Sequence, residues 1–137
     1  MSRVQLALNV RDIDSAVDFY SKLFATEPAK RRPGYANFAI AEPPLKLVLI
    51  ENPKAAGKLN HLGIEVESSE QVKQASDRLQ KSDLSVTPEH QTTCCYALQD
   101  KVSVKDPDGA NWEVYVVLED SATFGVSQKT EAPVCCS

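Results

Sequence analysis

An internal repeat constrains this chain more than any other feature, because residues 61–66 reproduce the pattern of residues 5–10 at an offset of 56. Each segment alternates apolar residues with polar or small ones, which is typical of a half-buried β-strand. A helix start follows each segment, at Asp12 in the first copy and at Ser68 with Gln71 in the second. An accidental match is the alternative. The agreement of strand, helix position and helix polarity instead predicts two copies of one folding unit.

The rest of the pattern completes the two units. Helices are expected over 12–24 and 68–81, and the basic stretch 30–34 and the turn 106–109 break the regular elements. The expected strands are 5–10, 35–41, 45–51, 61–66, 84–87, 92–98, 101–105 and 111–118. A third short strand in the first half has no clear position. We therefore predict an α+β fold of two βαβββ modules, forming a curved mixed sheet around an enclosed cavity.

The length of 137 residues fits a single domain. Module one is expected over 1–56 and module two over 57–119. Residues 120–137 lack periodicity and are rich in small and polar residues, which predicts a flexible C-terminal tail.

Composition excludes several classes of function. The net charge of −4 argues against sequence-independent nucleic-acid binding. The apolar runs are far shorter than the roughly 20 residues that cross a bilayer, so no membrane partner is expected. The N-terminus lacks the organisation of a signal peptide, which makes the cytoplasm the expected location, with reduced cysteines. The sequence leaves open whether the protein is a monomer or a homodimer.

Strand parity assigns three side chains to one side of the predicted sheet. In both first strands the Leu, Ile and Val residues must face the helices, so Gln5 and His61 must face the opposite, concave side. In the last strand the Trp and Val residues take the helix side, which leaves Glu113 and Tyr115 facing the cavity. Gln5, His61 and Glu113 are therefore expected to converge.

One imidazole, one carboxylate and one amide oxygen suit a divalent transition metal with open positions. The set is a variant of the facial triad of non-haem iron(II) enzymes, with Gln5 replacing one histidine. Taken singly, a strand glutamine is usually just hydrogen-bonded and a lone histidine is more often structural. The repeat supplies no fourth ligand, because Leu47 is the expected counterpart of Glu113 and Glu51 would need a shifted register.

Two adjacent thiols, Cys94 and Cys95, form a potential chelator for a soft element. The ordinary alternative is that they are small buried apolar residues. A second pair, Cys135 and Cys136, stands near the chain end, and its function stays open between transfer of a bound soft element and an exposed dithiol without a catalytic role.

The paired modules resemble the vicinal oxygen chelate superfamily, which includes glyoxalase I, extradiol dioxygenases and the fosfomycin- and bleomycin-resistance proteins. The resemblance covers about residues 1–119. It is carried by Leu6-Ala7-Leu8-Asn9-Val10-Arg11-Asp12, Ala16-Val17-Asp18-Phe19-Tyr20, His61-Leu62-Gly63-Ile64 and Asp106-Pro107-Asp108-Gly109-Ala110-Asn111-Trp112-Glu113.

Within that superfamily, Gln5 combined with Thr92-Thr93-Cys94-Cys95-Tyr96-Ala97 resembles the organoarsenical C–As lyases and the related cadmium-induced proteins. The resemblance implies an Fe(II)-dependent dioxygenase that uses O₂ to cleave the carbon–arsenic bond of trivalent organoarsenicals, such as methylarsenite and aromatic arsenicals, and releases inorganic arsenite. It implies that Gln5, His61 and Glu113 hold Fe(II), and that Cys94 and Cys95 bind arsenic. Some members have His at the position of Gln5. Tyr96, Tyr115 and Phe38 are candidates for the substrate-pocket wall.

Two other functions remain open at this point. One is a glyoxalase-type metalloenzyme, either an isomerase or a thiol transferase, which typically has a fourth metal ligand or a basic anion-binding pocket. The other is a binding protein that sequesters arsenic or cadmium, or a drug-binding protein of the bleomycin-resistance kind. Sequestration, unlike lyase chemistry, would survive replacement of Gln5 or Glu113.

Overall fold

The computed structural model describes residues 2–94 and 96–120. The strands are β1 (Arg3–Val10), β2 (Lys30–Arg32), β3 (Tyr35–Ile40), β4 (Leu45–Glu51), β5 (Leu59–Glu65), β6 (Thr87–Cys94), β7 (Ala97–Lys105) and β8 (Asn111–Asp120). The helices are α1 (Ile13–Phe24) and α2 (Ser69–Lys81), with one 3₁₀ turn at Pro53–Ala55. Cys95, Cys135, Cys136 and the tail from residue 121 lie outside the described residues, so the expectations for them stay predictions.

The first compact unit consists of residues 3–62. Its strands lie in the order β2-β3-β4-β1-β5, with β1 and β4 parallel and the β2–β3 and β3–β4 pairs antiparallel. Apolar residues of β1, β3 and β4 pack against Ile13 and Val17 of α1. This core leaves the other side of β1 to Gln5, Ala7 and Asn9.

The second compact unit consists of Ser2, residues 63–94 and residues 96–120. Here β8 lies beside β5 and is followed by β7 and β6, with β8–β7 and β7–β6 antiparallel. Val72 of α2 packs against Val102 and Val116, with Val114 beside them. The predicted α+β class, with the order βαβββ in each half, is confirmed.

Both helices begin where the capping residues predict. Asp12 Oδ2 accepts hydrogen bonds from the Ser15 hydroxyl and from the Ser15 N–H, and these bonds lower the pKa of Asp12, the hydroxyl contributing most. Ser68 Oγ accepts from the Gln71 N–H, while Gln71 Oε1 accepts from the Glu67 N–H. The caps satisfy helix N–H groups that have no partner within the helix.

The structure corrects three strand predictions. Residues 30–32 form the edge strand β2 rather than a simple break, and the basic side chains suit an edge because charge discourages pairing with another chain. Residues 84–86 are not in a strand. The break predicted at 99–100 is absent, because β7 continues through a register shift between Leu98 and Gln99. Cys94 is the last residue of β6, whereas the prediction of a strand over 92–98 placed it inside a strand.

Strand parity in β1 and β8 follows the prediction. Leu6, Leu8 and Val10 pack on the α1 side, while Gln5, Ala7 and Asn9 are buried on the other. Val114 and Val116 pack on the α2 side, and Glu113 and Tyr115 are buried on the other. In the described part of the chain, neither helix is long and apolar enough to cross a membrane.

Candidate functional site

Gln5 and His61 meet in the first unit. Gln5 Nε2 lies 3.1 Å from His61 Nε2, and both side chains are buried, with 4% and 2% of their surface exposed. Gln5 reaches this position from β1, and His61 from the first half of β5. The two matched positions of the repeat are therefore in hydrogen-bonding contact.

Two asparagines determine which nitrogen of His61 carries the proton. Asn60 Nδ2 donates to Asn9 Oδ1 at 2.9 Å, which orients the Asn60 amide and leaves its Oδ1 as an acceptor. His61 Nδ1 lies 2.7 Å from that oxygen, so Nδ1 carries the proton. The unprotonated Nε2 then presents its lone pair toward Gln5. A hydrogen bond from the far ring nitrogen is the arrangement that orients metal-binding histidines.

Glu113 is held by a buried lysine in the second unit. Lys101 Nζ lies 3.2 Å from Glu113 Oε2, and the two side chains are 1% and 3% exposed. Lys101 comes from β7 and Glu113 from β8. A buried carboxylate keeps its charge only where a cation or hydrogen bonds compensate for lost hydration. Lys101 supplies that compensation for Glu113.

Cys94 contacts the same ammonium group. Its Sγ is 3.7 Å from Lys101 Nζ, and the residue is 1% exposed. Gln99 Nε2 donates to the Cys94 carbonyl at 2.9 Å, which fixes the end of β6. Cys94 is disulfide-bonded in this structure, whereas the sequence predicts free thiols. Arsenic binding requires the reduced form.

The connection from β6 to β7 has an unusual backbone. Cys94 pairs with Ala97, and Tyr96 between them has φ of 63°, a left-handed conformation that is rare for a bulky residue. Such conformations persist where the surroundings enforce them and are frequent at functional sites. Tyr115, the other predicted wall residue, donates its hydroxyl hydrogen to Glu65 Oε1 at 3.1 Å.

Asp100 fastens the β6–β7 hairpin to α2. Its Oδ2 accepts from the Ser69 hydroxyl at 2.5 Å, and its Oδ1 accepts from the Gln91 N–H at 2.7 Å. The Ser69 bond is the main cause of a lowered pKa of Asp100. Partial burial opposes it, whereas the Gln91 bond and the nearby His90 support it. This carboxylate therefore stabilises the strand that carries Lys101.

The structure corrects two assignments around the site. Leu47 packs in the α1 core beside Leu6, so it is not the counterpart of Glu113, which faces the other side of its sheet. Phe38 belongs to the same core and is not a wall residue. Glu51 Oε2 accepts the Ile13 N–H at 2.9 Å and so supports the start of α1, which gives it a structural role.

Three polar residues of the site were missed by sequence reasoning: Asn60, Gln99 and Lys101. Lysine is rarely buried, and the predicted strand break at 99–100 concealed the shared parity of Gln99 and Lys101. An unbroken β7 would have placed both on the face of Glu113, because Lys101 pairs with Tyr115 and Ser103 with Glu113. No group of three or more His, Cys, Asp or Glu side chains gathers within residues 2–94 and 96–120. The predicted triad does not count as such a group, because Gln5 is a glutamine and is not one of those four residue types.

Two βαβββ modules, with an oriented histidine in one and a buried carboxylate in the other, define a class of paired-module α+β proteins. Residues 3–114 match the model of the Glyoxalase/Bleomycin resistance protein/Dioxygenase superfamily. The chain belongs to that superfamily.

Among relatives, the chain is 58% identical to the cadmium-induced protein CadI of Mycobacterium tuberculosis strain H37Rv, over 99% of this chain and 93% of the relative. It is also 58% identical to a trivalent organoarsenical cleaving enzyme of Thermomonospora curvata, over 100% of this chain and 89% of that enzyme. A further enzyme of the same name, from Bacillus sp. strain MD1, is 40% identical over 99% and 83% of the two chains.

Solved structures share the fold at lower identity. The 2,3-dioxygenase LapB of Pseudomonas sp. KL28 superposes with a TM-score of 0.66 at 17% identity, over 96% of this chain and 46% of that one. The Mn(II)-bound glyoxalase of Novosphingobium aromaticivorans gives 0.62 at 18% identity, over 93% and 44%. At these identities the likeness concerns the fold alone.

Proposed function

We propose that this protein is a non-haem Fe(II)-dependent dioxygenase that cleaves the carbon–arsenic bond of trivalent organoarsenicals and releases inorganic arsenite. One observation carries the proposal. Lys101 Nζ contacts Cys94 Sγ at 3.7 Å and Glu113 Oε2 at 3.2 Å, so a cysteine sulfur and a buried carboxylate share one cation. The 58% identity to the organoarsenical cleaving enzyme of T. curvata supports the choice of substrate class.

Gln5, His61 and Glu113 are the proposed iron ligands. The nitrogen and oxygen donors that each unit supplies are suitable for iron(II). His61 presents an unprotonated Nε2, because Asn60 holds the proton on Nδ1. The Gln5 amide lies within 3.1 Å of that nitrogen, and rotation about its last torsion exchanges its nitrogen for the oxygen that a metal prefers. Glu113 supplies a charged oxygen. Bound iron(II) would supply the activation of O₂ that no side chain provides.

The proposed role of Cys94 and Cys95 is to hold the arsenic. Trivalent arsenic takes three ligands, so an organoarsenical has two sites left once its carbon is counted, and two thiolates fill them. Soft thiolates prefer such an element over oxygen ligands. Holding arsenic by both remaining sites orients the carbon substituent, which turns an encounter into a positioned, near-unimolecular step. Tyr96 and Tyr115 are proposed to line the space around that substituent.

The proposal is tested by anaerobic loading of the reduced protein with Fe(II), followed by methylarsenite and then air. Inorganic arsenite is expected to appear only after air enters, and a phenyl arsenical serves as a second substrate. Arsenical that stays bound in stoichiometric amount without conversion would overturn the lyase.

Sequestration is the second candidate, and the 58% identity to a cadmium-induced protein is the observation that favours it. The variants Gln5→Ala and Glu113→Gln distinguish sequestration from lyase activity. A sequestering protein keeps its stoichiometric arsenical binding and shows no arsenite release in any variant. A lyase keeps binding in both variants and loses release.

A further inference from the structure

Gln99 has a buried amide oxygen that bonds to no described residue. The side chain is 5% exposed, and its Nε2 donates to the Cys94 carbonyl at 2.9 Å. Its Oε1 has no hydrogen-bond partner within residues 2–94 and 96–120. Burial of an acceptor without a donor is unfavourable, because the oxygen has lost its hydration and gained no bond in return. An oxygen of this kind next to Cys94 is therefore a place where a bound molecule can complete the hydrogen bonding.

The Cys94 carbonyl determines which atom of the Gln99 amide lacks a partner. A carbonyl oxygen only accepts hydrogen bonds, so the amide nitrogen has to face it. Exchange of the two amide atoms would bring two acceptors together. The atom that lacks a partner is therefore the oxygen, and any group that completes it has to bring a hydrogen-bond donor.

A second buried acceptor lies on the same face of the second unit. Glu89 on β6 pairs in register with Lys101 on β7, and Gln99 precedes Lys101 by two residues, so the three side chains share one face. Glu89 Oε2 also has no hydrogen-bond partner in the described part of the chain. Two acceptors that lack donors on one face favour a ligand that carries donors.

Trivalent organoarsenicals carry such donors until they bind sulfur. In water the arsenic of methylarsenite holds one carbon and two hydroxyl groups, and a hydroxyl group donates one hydrogen bond. Once two cysteine sulfurs have replaced the hydroxyls, arsenic carries no donor. A hydrogen bond from the arsenical to Gln99 is thus confined to the time before both sulfur–arsenic bonds have formed. Its effect falls on the rate of capture and not on the final complex.

We propose that Gln99 Oε1 accepts a hydrogen bond from an As–OH group and so positions the incoming organoarsenical beside the sulfur of reduced Cys94. Gln99 is then a substrate-binding residue that favours hydroxyl-bearing trivalent arsenicals during capture. The acceptor without a described partner is an observation of its own, whereas the identity of its ligand rests on the proposed function.

The capture step balances without an oxidant or reductant. The sulfur of Cys94 gives an electron pair to arsenic, one S–As bond forms, and one As–O bond breaks. The departing hydroxyl takes the proton of the thiol and leaves as water, while arsenic stays trivalent. The other hydroxyl remains bonded to Gln99 during this step. That bond speeds the reaction, because it holds arsenic beside the attacking sulfur.

Two phenyl arsenicals that differ in the O–H donor test the proposal. Phenylarsenite carries two hydroxyls, whereas its adduct with ethanethiol carries two alkyl sulfurs and has no O–H group. Reduced, iron-free protein with Cys135→Ser and Cys136→Ser captures each compound, and rapid quench with mass spectrometry of the intact protein measures the rate. Gln99→Met removes the amide and should slow capture of phenylarsenite by about three- to tenfold, the effect of one lost hydrogen bond. Capture of the adduct should keep its parent rate.

The pair of compounds separates substrate binding from support of the Cys94 backbone. If Gln99 only fixes the Cys94 carbonyl, Gln99→Met slows both compounds by the same factor, and that result would overturn the proposal. Unchanged capture of both compounds would overturn it as well. Gln80→Met makes the same exchange at an exposed position of α2 and should change neither rate.

A second measurement leaves Gln99 in place and so does not depend on the folding of Gln99→Met. In the Cys94→Ser, Cys95→Ser protein no sulfur–arsenic bond can form there, so phenylarsenite keeps its hydroxyls. It should shift the side-chain amide resonance of isotope-labelled Gln99, and the adduct should not. A resonance that phenylarsenite does not shift would overturn the proposal. Absence of arsenite release from a protein that shows the expected capture rates would contradict the dioxygenase and leave the function of Gln99 standing.

Discussion

The two units place chemically different groups at related strand positions. In the first unit Gln5, His61 and Asn60 form a neutral chain of amides and imidazole, whose function is to fix one ring tautomer. In the second unit Glu113, Lys101 and Cys94 form a charged cluster built on an ion pair. The duplicated modules therefore share one backbone arrangement but differ in the polar side chains on the sheet. One unit orients a neutral imidazole, and the other balances charge.

Removal of the carboxylate should produce the largest effect on stability. Glu113→Ala leaves the Lys101 ammonium buried without its counter-ion, which costs about 3–5 kcal/mol when one partner of a buried pair is lost. Gln5→Ala leaves only a neutral acceptor on His61 and should cost about 1–3 kcal/mol. Urea unfolding of both variants measures the difference. Equal losses would contradict the contrast between a charged and a neutral unit.

Loss of the first thiol should abolish turnover while metal binding persists. Cys94→Ser removes the soft ligand but leaves the Lys101–Glu113 pair intact. Arsenite release should fall at least about a hundredfold, because the substrate is no longer held in position, while Fe(II) binding stays near the parent value. Equilibrium dialysis of Fe(II) and arsenic speciation give the two readouts. Normal arsenite release by this variant would remove Cys94 from the substrate site.

Loss of the hydrogen bond that fixes the His61 tautomer should lower the metal affinity to an intermediate extent. Asn60→Leu removes the acceptor for His61 Nδ1, and losing such an outer partner typically costs about 10–100-fold in metal affinity. Asn60→Asp keeps an acceptor oxygen and is the matched control. Competition with a fluorescent chelator measures both. If the leucine variant binds Fe(II) as the parent does, the Asn60 contact has no part in ligand orientation.

The smallest effect concerns the support of β7. The lowered pKa of Asp100 means that its contribution to stability is present above its unfolded value of 3.8 and is lost as the pH falls through and below that value. Asp100→Asn should reduce stability at neutral pH by at most about 1 kcal/mol, because water screens this partly exposed group. The free energy of unfolding of this variant should also depend less on pH in the acid range. Thermal unfolding across that range checks the sign. A variant that loses more stability at acid pH than at neutral pH would contradict it.

The sequence was sufficient for features that depend on local pattern. Alternation in β1 and the capping residues Asp12 and Ser68 predicted strand parity and both helix starts, and the structure confirms them. The third short strand of the first unit could not be placed from the sequence, since three basic residues carry no apolar alternation. Whether Gln5, His61 and Glu113 bind iron stays a prediction.

The missed part of the site depends on contacts between distant residues. Gln99 and Asp100 have the composition of a turn, yet Asp100 bonds to Ser69 and Gln91, which support an unbroken β7. Lys101 can be buried only because Glu113 neutralises it from the next strand, and no local pattern shows that pairing. Asn60 contacts the ring of its own neighbour, whereas strand alternation predicts that adjacent side chains point apart.

The proposed site divides its ligands between two elements, with oxygen and nitrogen for iron and sulfur for arsenic. X-ray absorption at the iron and arsenic edges of the reduced protein, loaded anaerobically with Fe(II) and methylarsenite, tests it most directly. We expect an arsenic shell of two sulfurs and one carbon, and an iron shell of nitrogen and oxygen alone. Sulfur in the iron shell, or arsenic that retains its oxygens, would contradict it.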